Sequence, residues 1–300
     1  MMKERLTHID NAKAIGMILI IASHIIPSEP VVKNVVYMTW CNVLNSFYVP
    51  LFFLLSGMFE PSAADDKKLL RRVTKLLRYC VAFYAFGIVA DGVISNHWSL
   101  SAFRSQTTIW FLIVLLWITA IVGILKHCKY RLCIYLVLTM GGVMLAHKSM
   151  GVFYIGQACV CLPFYLVGYY AKDYFKSKTL NKKALVLSVM TWLILFSLFY
   201  CPQNISLNMI GQNFFAFYLE AIAGSIMVIE WCKLIDVEFI SYFGRNSIVP
   251  MMVQLPLIWI VQMLVDVECL SSYFIMSVVV CAICGLCIPI FRNKGYDMFG

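Results

Sequence analysis

Lys13 and His24 are separated by eleven positions in the apolar stretch "KAIGMILIIASH". In a helix, eleven residues advance about 16 Å and make a little over three turns. Both side chains therefore share one face, with Gly16 and Ile20 between them. A neutral imidazole accepts a proton from a hydroxyl near neutral pH. The spacing predicts a narrow channel with a cation at its mouth and a general base at its floor. The alternative is a structural His bonded to a neighbouring helix.

A second ionisable group lies inside an apolar run. Glu220 stands eight or nine residues into "FFAFYLEAIAGSIMV", so its ionised form needs a partner there. One interpretation has it orienting His24, as a carboxylate orients a catalytic imidazole. The other has it protonated, or hydrogen-bonded to a neighbouring helix. Further polar residues that could face the same cavity are Asn42, Asn45, Ser56 and Gln254. The remaining histidines, at 8, 97, 127 and 147, fall in the N-terminal segment, in loops or at the ends of runs.

The composition indicates the environment in which these residues lie. Hydrophobic residues make up 62% of the 300 residues and charged residues 13%, against roughly 45–50% and 25% in soluble domains. Such a chain is expected in lipid, where only helices satisfy the backbone of a segment internally. Ten apolar runs predict ten transmembrane helices: 14–28, 35–58, 79–95, 108–125, 132–147, 153–171, 184–201, 212–232, 246–265 and 271–291.

The distribution of basic residues predicts the orientation. With the N-terminus inside, the cytoplasmic segments hold 21 of the 24 Lys and Arg residues, and the outer segments hold only Lys33, Arg104 and Lys148. This is the positive-inside pattern. The sequence therefore predicts an all-α, polytopic membrane protein with one domain over 1–300 and both termini in the cytoplasm.

The basic residues also indicate which binding partners to expect. Cytoplasmic cations orient the chain and contact anionic lipid headgroups, so a net charge of +9 does not call for nucleic acid, and we expect none. Cys281, Cys284 and Cys287 form a C-x-x-C-x-x-C run without a nearby His or carboxylate. We interpret it as packing rather than as a metal site, and no metal is expected.

Several motifs, in order along the chain, resemble the membrane acyltransferase-3 family. The opening "HIDNAKAIGMILIIASH" is similar to its acidic position followed by an [RK]-x10-H spacing, and "FYVPLFFLLSGMF" is similar to its second span. The matching positions are Asp10, Lys13 and His24, then Pro50, Phe52, Ser56 and Gly57, then Arg72 and Lys75 of a basic cluster, Trp110 of "IWFLIVLLW", the span end "LPFYLVGYYAK", and Arg245 and Asn246 of "FGRNSIVPMMVQ".

The chain also departs from the family pattern. Tyr48 stands where a His often precedes the second-span Pro, and Gln254 stands where a His commonly ends the last motif. Tyr79 and Cys80 replace a Pro-Tyr pair, and Lys75 replaces the second Arg of R-x-x-R. A Lys binds phosphate as a point charge rather than in a bidentate manner. These changes leave Lys13 and His24 untouched but argue against a second catalytic histidine.

The resemblance implies an O-acyltransferase of the cell (inner) membrane. Its donor would be cytoplasmic acetyl-CoA, a co-substrate rather than a bound cofactor, and its acceptor a hydroxyl of a surface polysaccharide or its lipid-linked precursor. His24 would then be catalytic, and cations would bind the phosphates of coenzyme A through charge-assisted hydrogen bonds. The basic loop offers Lys67, Lys68, Arg71, Arg72, Lys75 and Arg78 for this role, with Lys13 beside them.

Plainer interpretations of these residues stay open. The basic loop could serve only topology and lipid binding, Trp110 could anchor at the interface, and the Ser56-Gly57 pair could allow close helix packing. The competing functional class is a proton-coupled transporter or exporter of a glycan or small molecule. No internal repeat with paired broken helices supports it. The sequence leaves the acceptor and the oligomeric state open.

Overall fold

The computed structural model describes residues 5–61, 65–96, 98, 108–146, 152–200, 203–211 and 213–292. This part of the chain is helical and contains no β-strand, only an isolated bridge between Asn204 and Met209. The helices are α1 (Thr7–His24), α2 (Glu29–Val32), α3 (Val35–Gly57), α4 (Asp66–Ser95), α5 (Ile109–Leu125), α6 (Arg131–Leu145), α7 (Ile155–Tyr170), α8 (Lys172–Lys176), α9 (Lys182–Leu198), α10 (Phe214–Cys232), α11 (Glu238–Arg245), α12 (Ile248–Leu264) and α13 (Leu270–Arg292).

Each of the ten predicted apolar runs coincides with one long helix, but two helices begin earlier than hydropathy indicates. Helix α1 starts at Thr7 and α4 at Asp66. The early turns of α1 are polar yet buried, because their side chains bond to other parts of the protein. His8 Nε2 lies 2.9 Å from the carbonyl oxygen of Phe175, and Asn11 donates to that of Ile235 at 2.8 Å. Hydropathy detects only residues that suit lipid, so it missed these turns.

The described helices differ in their capacity to cross a membrane. Four are long and apolar enough to do so: α3, α4, α10 and α13. Helices α11 and α12 meet at an 85° bend and together would make a fifth span. Helices α5, α6 and α7 are apolar but shorter. The structure is therefore all-helical with several apolar helices, while ten crossings and cytoplasmic termini stay predictions.

Polar side chains fix where several helices begin. Asn34, Asp65, Asn181 and Asn213 each precede a helix and accept a hydrogen bond from a backbone N–H of its first turn. Such caps satisfy donors that have no partner within the helix. The Asp65 cap matters for the site, because it sets the start of the helix that carries the basic cluster.

Helix α1 lies at the centre of the bundle, in contact with α3, α10, α11, α12 and α13. Helix α3 packs in turn on α7 and α10, and α4 packs on α5 and α12. The α3–α7 crossing is very close. A Cβ atom on Gly57 would overlap the carbonyl oxygen of Tyr165, and one on Gly168 would overlap that of Leu54. Small residues therefore bring these backbones together, as the plainer interpretation of Ser56-Gly57 predicted.

Candidate active site

A cavity of about 440 Å³ lies between α1, α3, α5, α12 and the segment 203–211. Its walls are largely apolar and aromatic, with a few polar side chains. The aromatic lining comes from Tyr48, Phe52, Trp110, Phe111 and Trp259. The polar lining comes from Ser23, His24, Asn45, Thr108, Asn204, Ser206 and Gln254. A concave, mostly apolar pocket with a few convergent polar groups is the usual form of a small-molecule site.

His24 is the last residue of α1 and lines this cavity. Its Nδ1 lies 2.8 Å from the carbonyl oxygen of Ile20. A carbonyl only accepts hydrogen bonds, so Nδ1 carries the proton and Nε2 has the free lone pair. The ring is therefore held in the tautomer that can accept a proton at Nε2. This is the state a general base requires.

Two other polar groups near the base are already paired. The Tyr48 hydroxyl donates to Asn45 Oδ1 at 3.0 Å, and both residues line the cavity. Ser23 turns its hydroxyl to the carbonyl of Ile20 at 2.8 Å. The cavity thus contains His24, Asn45, Trp110 and Gln254 together, as the sequence had suggested for the His and the two amides.

Glu220 does not join this group. It is 1% exposed and lines a separate small cavity with Gln203, Asn213 and Phe217 among others. Gln203 Nε2 donates to its Oε2 at 3.3 Å. The ring nitrogen of His24 that Glu220 was expected to hold is instead bonded to Ile20. The structure therefore places Glu220 in the second of the two interpretations, hydrogen-bonded to a neighbour rather than orienting the imidazole.

Lys13 lies on the same helix as His24 but outside the cavity. Its ammonium group is 3.9 Å from Asp10 Oδ1 and 5.0 Å from the centre of the Phe59 ring. Asp10 also accepts from Arg5 Nε at 2.9 Å. The predicted acidic residue therefore holds two cations at the N-terminal end of α1.

The face between Lys13 and His24 is not open as the sequence suggested. A Cβ atom on Gly16 would lie 2.7 Å from Cε2 of Phe52, so this ring already occupies the space beside the glycine. Phe52 also lines the cavity and packs edge-on against Phe111, with ring centres 6.1 Å apart. An aromatic side chain thus stands between the cation and the base.

Arg72 is anchored by three groups at the α3–α7 crossing. Its Nη2 donates to the carbonyl oxygen of Ser56 at 2.9 Å, and its Nε lies 3.5 Å from Glu60 Oε2. The guanidinium also lies 5.7 Å from the centre of the Tyr165 ring, and the Tyr165 hydroxyl donates to Glu60. Burial raises the pKa of Glu60 above its usual value, and the charge of Arg72 opposes that shift. Ser56 thus acts here through its backbone, not through a side chain in the cavity.

The other cations that the sequence predicted for the site lie on the surface of the bundle. Arg71 and Lys75 are exposed on α4, and the Lys75 ammonium is 5.7 Å from the Tyr79 ring. Arg245 is exposed at the end of α11, and the Asn246 amide donates to the carbonyl of Tyr242 at 2.7 Å. Arg245 and Asn246 are not among the residues that line the cavity. They follow Gly244, where α11 crosses α1 so closely that a Cβ atom would overlap the carbonyl oxygen of Asp10.

A family model for an acyltransferase domain matches residues 6–290, nearly the whole chain. The chain belongs to the acyltransferase-3 family. No curated protein and no solved structure matches it. With several apolar helices in the described residues, membership of this family makes the protein a multi-pass membrane acyltransferase.

The structure of this acyltransferase adds residues that sequence reasoning missed. Glu60 and Tyr165 fix Arg72, and Ser23, Asn204 and Ser206 line the cavity. Glu60 left a weak signal, as an acid at the start of a strongly basic segment that also contains Asp65 and Asp66. The polar residues of 203–211 left none, since such residues are ordinary in a loop. His97 and His147, taken as loop or span-end residues, lie outside the described part of the chain.

Proposed function

We propose that this acyltransferase moves an acetyl group from cytoplasmic acetyl-CoA to a hydroxyl of a surface polysaccharide or of its lipid-linked precursor. The proposal rests on the location and the tautomer of the His24 imidazole. Its imidazole lines the cavity between α1, α3, α5 and α12, and its hydrogen bond to Ile20 leaves Nε2 as the basic nitrogen. A family of acyltransferases supplies the reaction class for that base.

The chemistry follows from that nitrogen. Nε2 accepts the proton of the acceptor hydroxyl, and the oxygen attacks the thioester carbonyl carbon. The C–S bond then breaks, and the imidazolium returns the proton to the departing sulfur. A variant in which Nε2 itself takes the acetyl group, as acetyl-imidazole, uses the same nitrogen.

The donor site in this proposal is the N-terminal, basic side of the bundle. Coenzyme A carries several phosphates, and Lys13, Arg72 and Lys75 offer positive charge to them. Glu60, Ser56 and Tyr165 hold the Arg72 guanidinium in one orientation, which lowers the entropy lost on binding an anion. The donor is long and extended, so one molecule can contact these cations while its thioester reaches His24, about 16 Å along α1 from Lys13.

The acceptor site is the cavity itself. Its aromatic walls suit the apolar faces of a sugar ring, and its amides suit hydroxyl groups. No residue of the described chain fixes which glycan is bound, so the acceptor class rests on the family.

The catalytic step is tested with the His24→Ala variant of the full-length protein. General base catalysis contributes about 10²–10⁴-fold, so the variant should lose at least about a hundredfold in transfer rate while still binding acetyl-CoA. Transfer is followed by mass spectrometry of surface-glycan O-acetylation and by turnover of labelled acetyl-CoA. The exposed His127 gives a matched control, since His127→Ala should keep full activity. Near wild-type acetylation by folded His24→Ala would refute the assignment, and a protein that neither hydrolyses nor exchanges acetyl-CoA would favour the transporter.

The donor site is tested separately by binding. Alanine at Lys13, Arg72 or Lys75 should weaken acetyl-CoA binding by roughly 1.5–3 kcal/mol where a hydrogen bond to a charged group is lost. The differences should shrink as salt rises, because salt screens exposed charges. Lys33 pairs with Glu29 on a different part of the chain, so Lys33→Ala is the control and should bind normally. Unchanged affinity in all three variants would remove these residues from the donor site.

A further inference from the structure

Gln254 is the most unusual polar residue of the cavity. Its side chain lies on α12 between Pro250 and Pro256 and is 0% exposed. Among the residues that the structure describes, neither Nε2 nor Oε1 has a hydrogen-bond partner. Buried amides in native proteins are nearly always bonded, so one with both ends unpaired calls for a ligand or water in the adjacent space. That space is the His24 cavity, which Gln254 lines together with Met251 and Leu255.

Other polar groups that line the cavity are bonded to one another. Asn45 and Tyr48 bond to each other at 3.0 Å, and Ser206 donates to Asn204 Oδ1 at 2.6 Å. These side chains are engaged without a ligand. The Gln254 amide is not, and it carries a neutral N–H donor that no change of pH between 4 and 10 removes.

Helices α1 and α12 pack against each other, so the amide and the His24 imidazole face the same space from two walls. The imidazole and the amide differ in their proton chemistry. Nε2 of His24 accepts a proton, whereas the amide cannot take one at neutral pH but can donate a hydrogen bond. A base and a separate neutral donor are the two groups that acyl transfer requires: one activates the nucleophile and the other stabilises the oxyanion.

We propose that Gln254 donates a hydrogen bond from Nε2 to the carbonyl oxygen of the acyl group during transfer, which deepens the proposed function and rests on it. When the acceptor oxygen attacks the carbonyl carbon, the C=O electron pair moves onto the carbonyl oxygen, and the amide N–H bonds to that negative oxygen. The pair returns as the C–S bond breaks. Gln254 forms no covalent bond and exchanges no proton in the step.

The test compares Gln254→Met with Gln254→His in the full-length protein. Methionine has a similar length and no donor, so kcat should fall by about 10²–10³-fold, the loss measured for oxyanion donors, with little change in the KM for acetyl-CoA. Histidine keeps an N–H donor and should restore a large part of kcat. The unfolding temperature of Gln254→Met should stay unchanged or rise, because an apolar side chain replaces an unpaired buried amide.

A matched control lies on the same helix. Gln262 donates from Nε2 to the carbonyl oxygen of Ile26 at 2.7 Å and does not line the cavity. Gln262→Met therefore removes the same chemical group, and we expect it to keep kcat.

Three results would overturn the proposal. An unchanged kcat in Gln254→Met with an inactive His24→Ala variant removes the oxyanion role and leaves the proposed function standing. A raised KM with an unchanged kcat makes Gln254 a ground-state binding group only. If Gln254→Met loses kcat and also unfolds at a lower temperature, and Gln254→His restores neither, the amide has a structural role. If His24→Ala also retains full activity, the proposed function itself fails.

Discussion

Gly16 of α1 faces the ring of Phe52 on α3 so closely that a Cβ atom on the glycine would lie 2.7 Å from Cε2 of that ring. The glycine stands on the helix face that joins Lys13 to His24, and Phe52 forms part of the cavity wall. A donor that contacts both Lys13 and His24 must pass this contact. The pair therefore sets the width of the route between the proposed phosphate site and the base.

The first prediction concerns this route. Gly16→Val adds a branched side chain where the Phe52 ring lies, so the ring must shift into the cavity. We expect the transfer rate to fall by about tenfold to a hundredfold, the scale on which small displacements of reacting groups act. Binding of coenzyme A should weaken as well, because the arm that carries its thiol follows the same route. Rates and binding are measured on the same purified protein.

Gly141 provides the control for that substitution. A Cβ atom there would meet none of the described residues within 4 Å, although the residue is also a helical glycine. Gly141→Val should therefore transfer acetyl groups normally. Equal rates for the two valine variants would mean that the donor does not pass between Gly16 and Phe52.

The second prediction concerns the pH dependence of donor binding. Glu60 lies 3.5 Å from Arg72, and burial raises the pKa of its carboxyl above the usual value. As the pH falls through that raised pKa, the carboxylate becomes neutral and the ion pair that orients Arg72 is lost. Wild-type affinity for acetyl-CoA should therefore drop as the pH falls through this raised pKa, beyond the change due to the donor's own phosphates.

Glu60→Gln isolates this effect, because glutamine keeps the shape of the side chain and does not titrate. Above the raised pKa of Glu60, the affinity of this variant should be lower than that of the wild type, and below that pKa the difference between the two proteins should vanish. The nearby groups Tyr165 and Lys126 are unchanged in both proteins. A constant affinity ratio over pH 5–8 would contradict the role given to Glu60.

The sequence predicted which helices carry the site residues better than it predicted how those helices pack against each other. The eleven-residue spacing placed Lys13 and His24 on one helix, and both lie in α1. The family and the all-helical class were also confirmed. These predictions depend on local periodicity and on the order of motifs, and both can be determined from one sequence.

The wrong or incomplete expectations depend on packing between distant segments. The open space at Gly16 is filled by a residue thirty-six positions away, which no helical pattern reveals. One of the two interpretations of Glu220 placed it beside His24, whereas in the structure it accepts a hydrogen bond from Gln203. Glu60 and Tyr165 meet only because two glycines let α3 and α7 cross closely.

The third prediction concerns a buried ion pair beside α10. Glu230 and Lys233 have side chains 0% and 1% exposed, with 2.7 Å between Oε1 and Nζ. Tyr174 and the backbone N–H of Asn181 also bond to the carboxylate, each at 2.9 Å. Glu230→Gln leaves the lysine charge buried without its partner, so we expect a loss of about 3–5 kcal/mol in stability. Unfolding in detergent measures it.

The double variant Glu230→Gln with Lys233→Met provides the check on that mechanism. It removes both charges, so its stability should recover part of the loss seen with Glu230→Gln alone. The two substitutions should therefore be strongly non-additive. Additive losses would show that the carboxylate stabilises the protein only through Tyr174 and Asn181.

The last prediction concerns the crossing that carries the Arg72 site. A Cβ atom on Gly57 would overlap the backbone oxygen of Tyr165, and one on Gly168 would overlap that of Leu54. Backbone atoms cannot move aside as a flexible side chain can, so Gly57→Ala must push α3 and α7 apart. Tyr165 and Glu60 would then separate from Arg72. We expect weaker acetyl-CoA binding and a lower unfolding temperature together, whereas Gly141→Ala, on open helix surface, should change neither. Normal donor affinity in folded Gly57→Ala protein would show that the crossing does not set the position of Arg72.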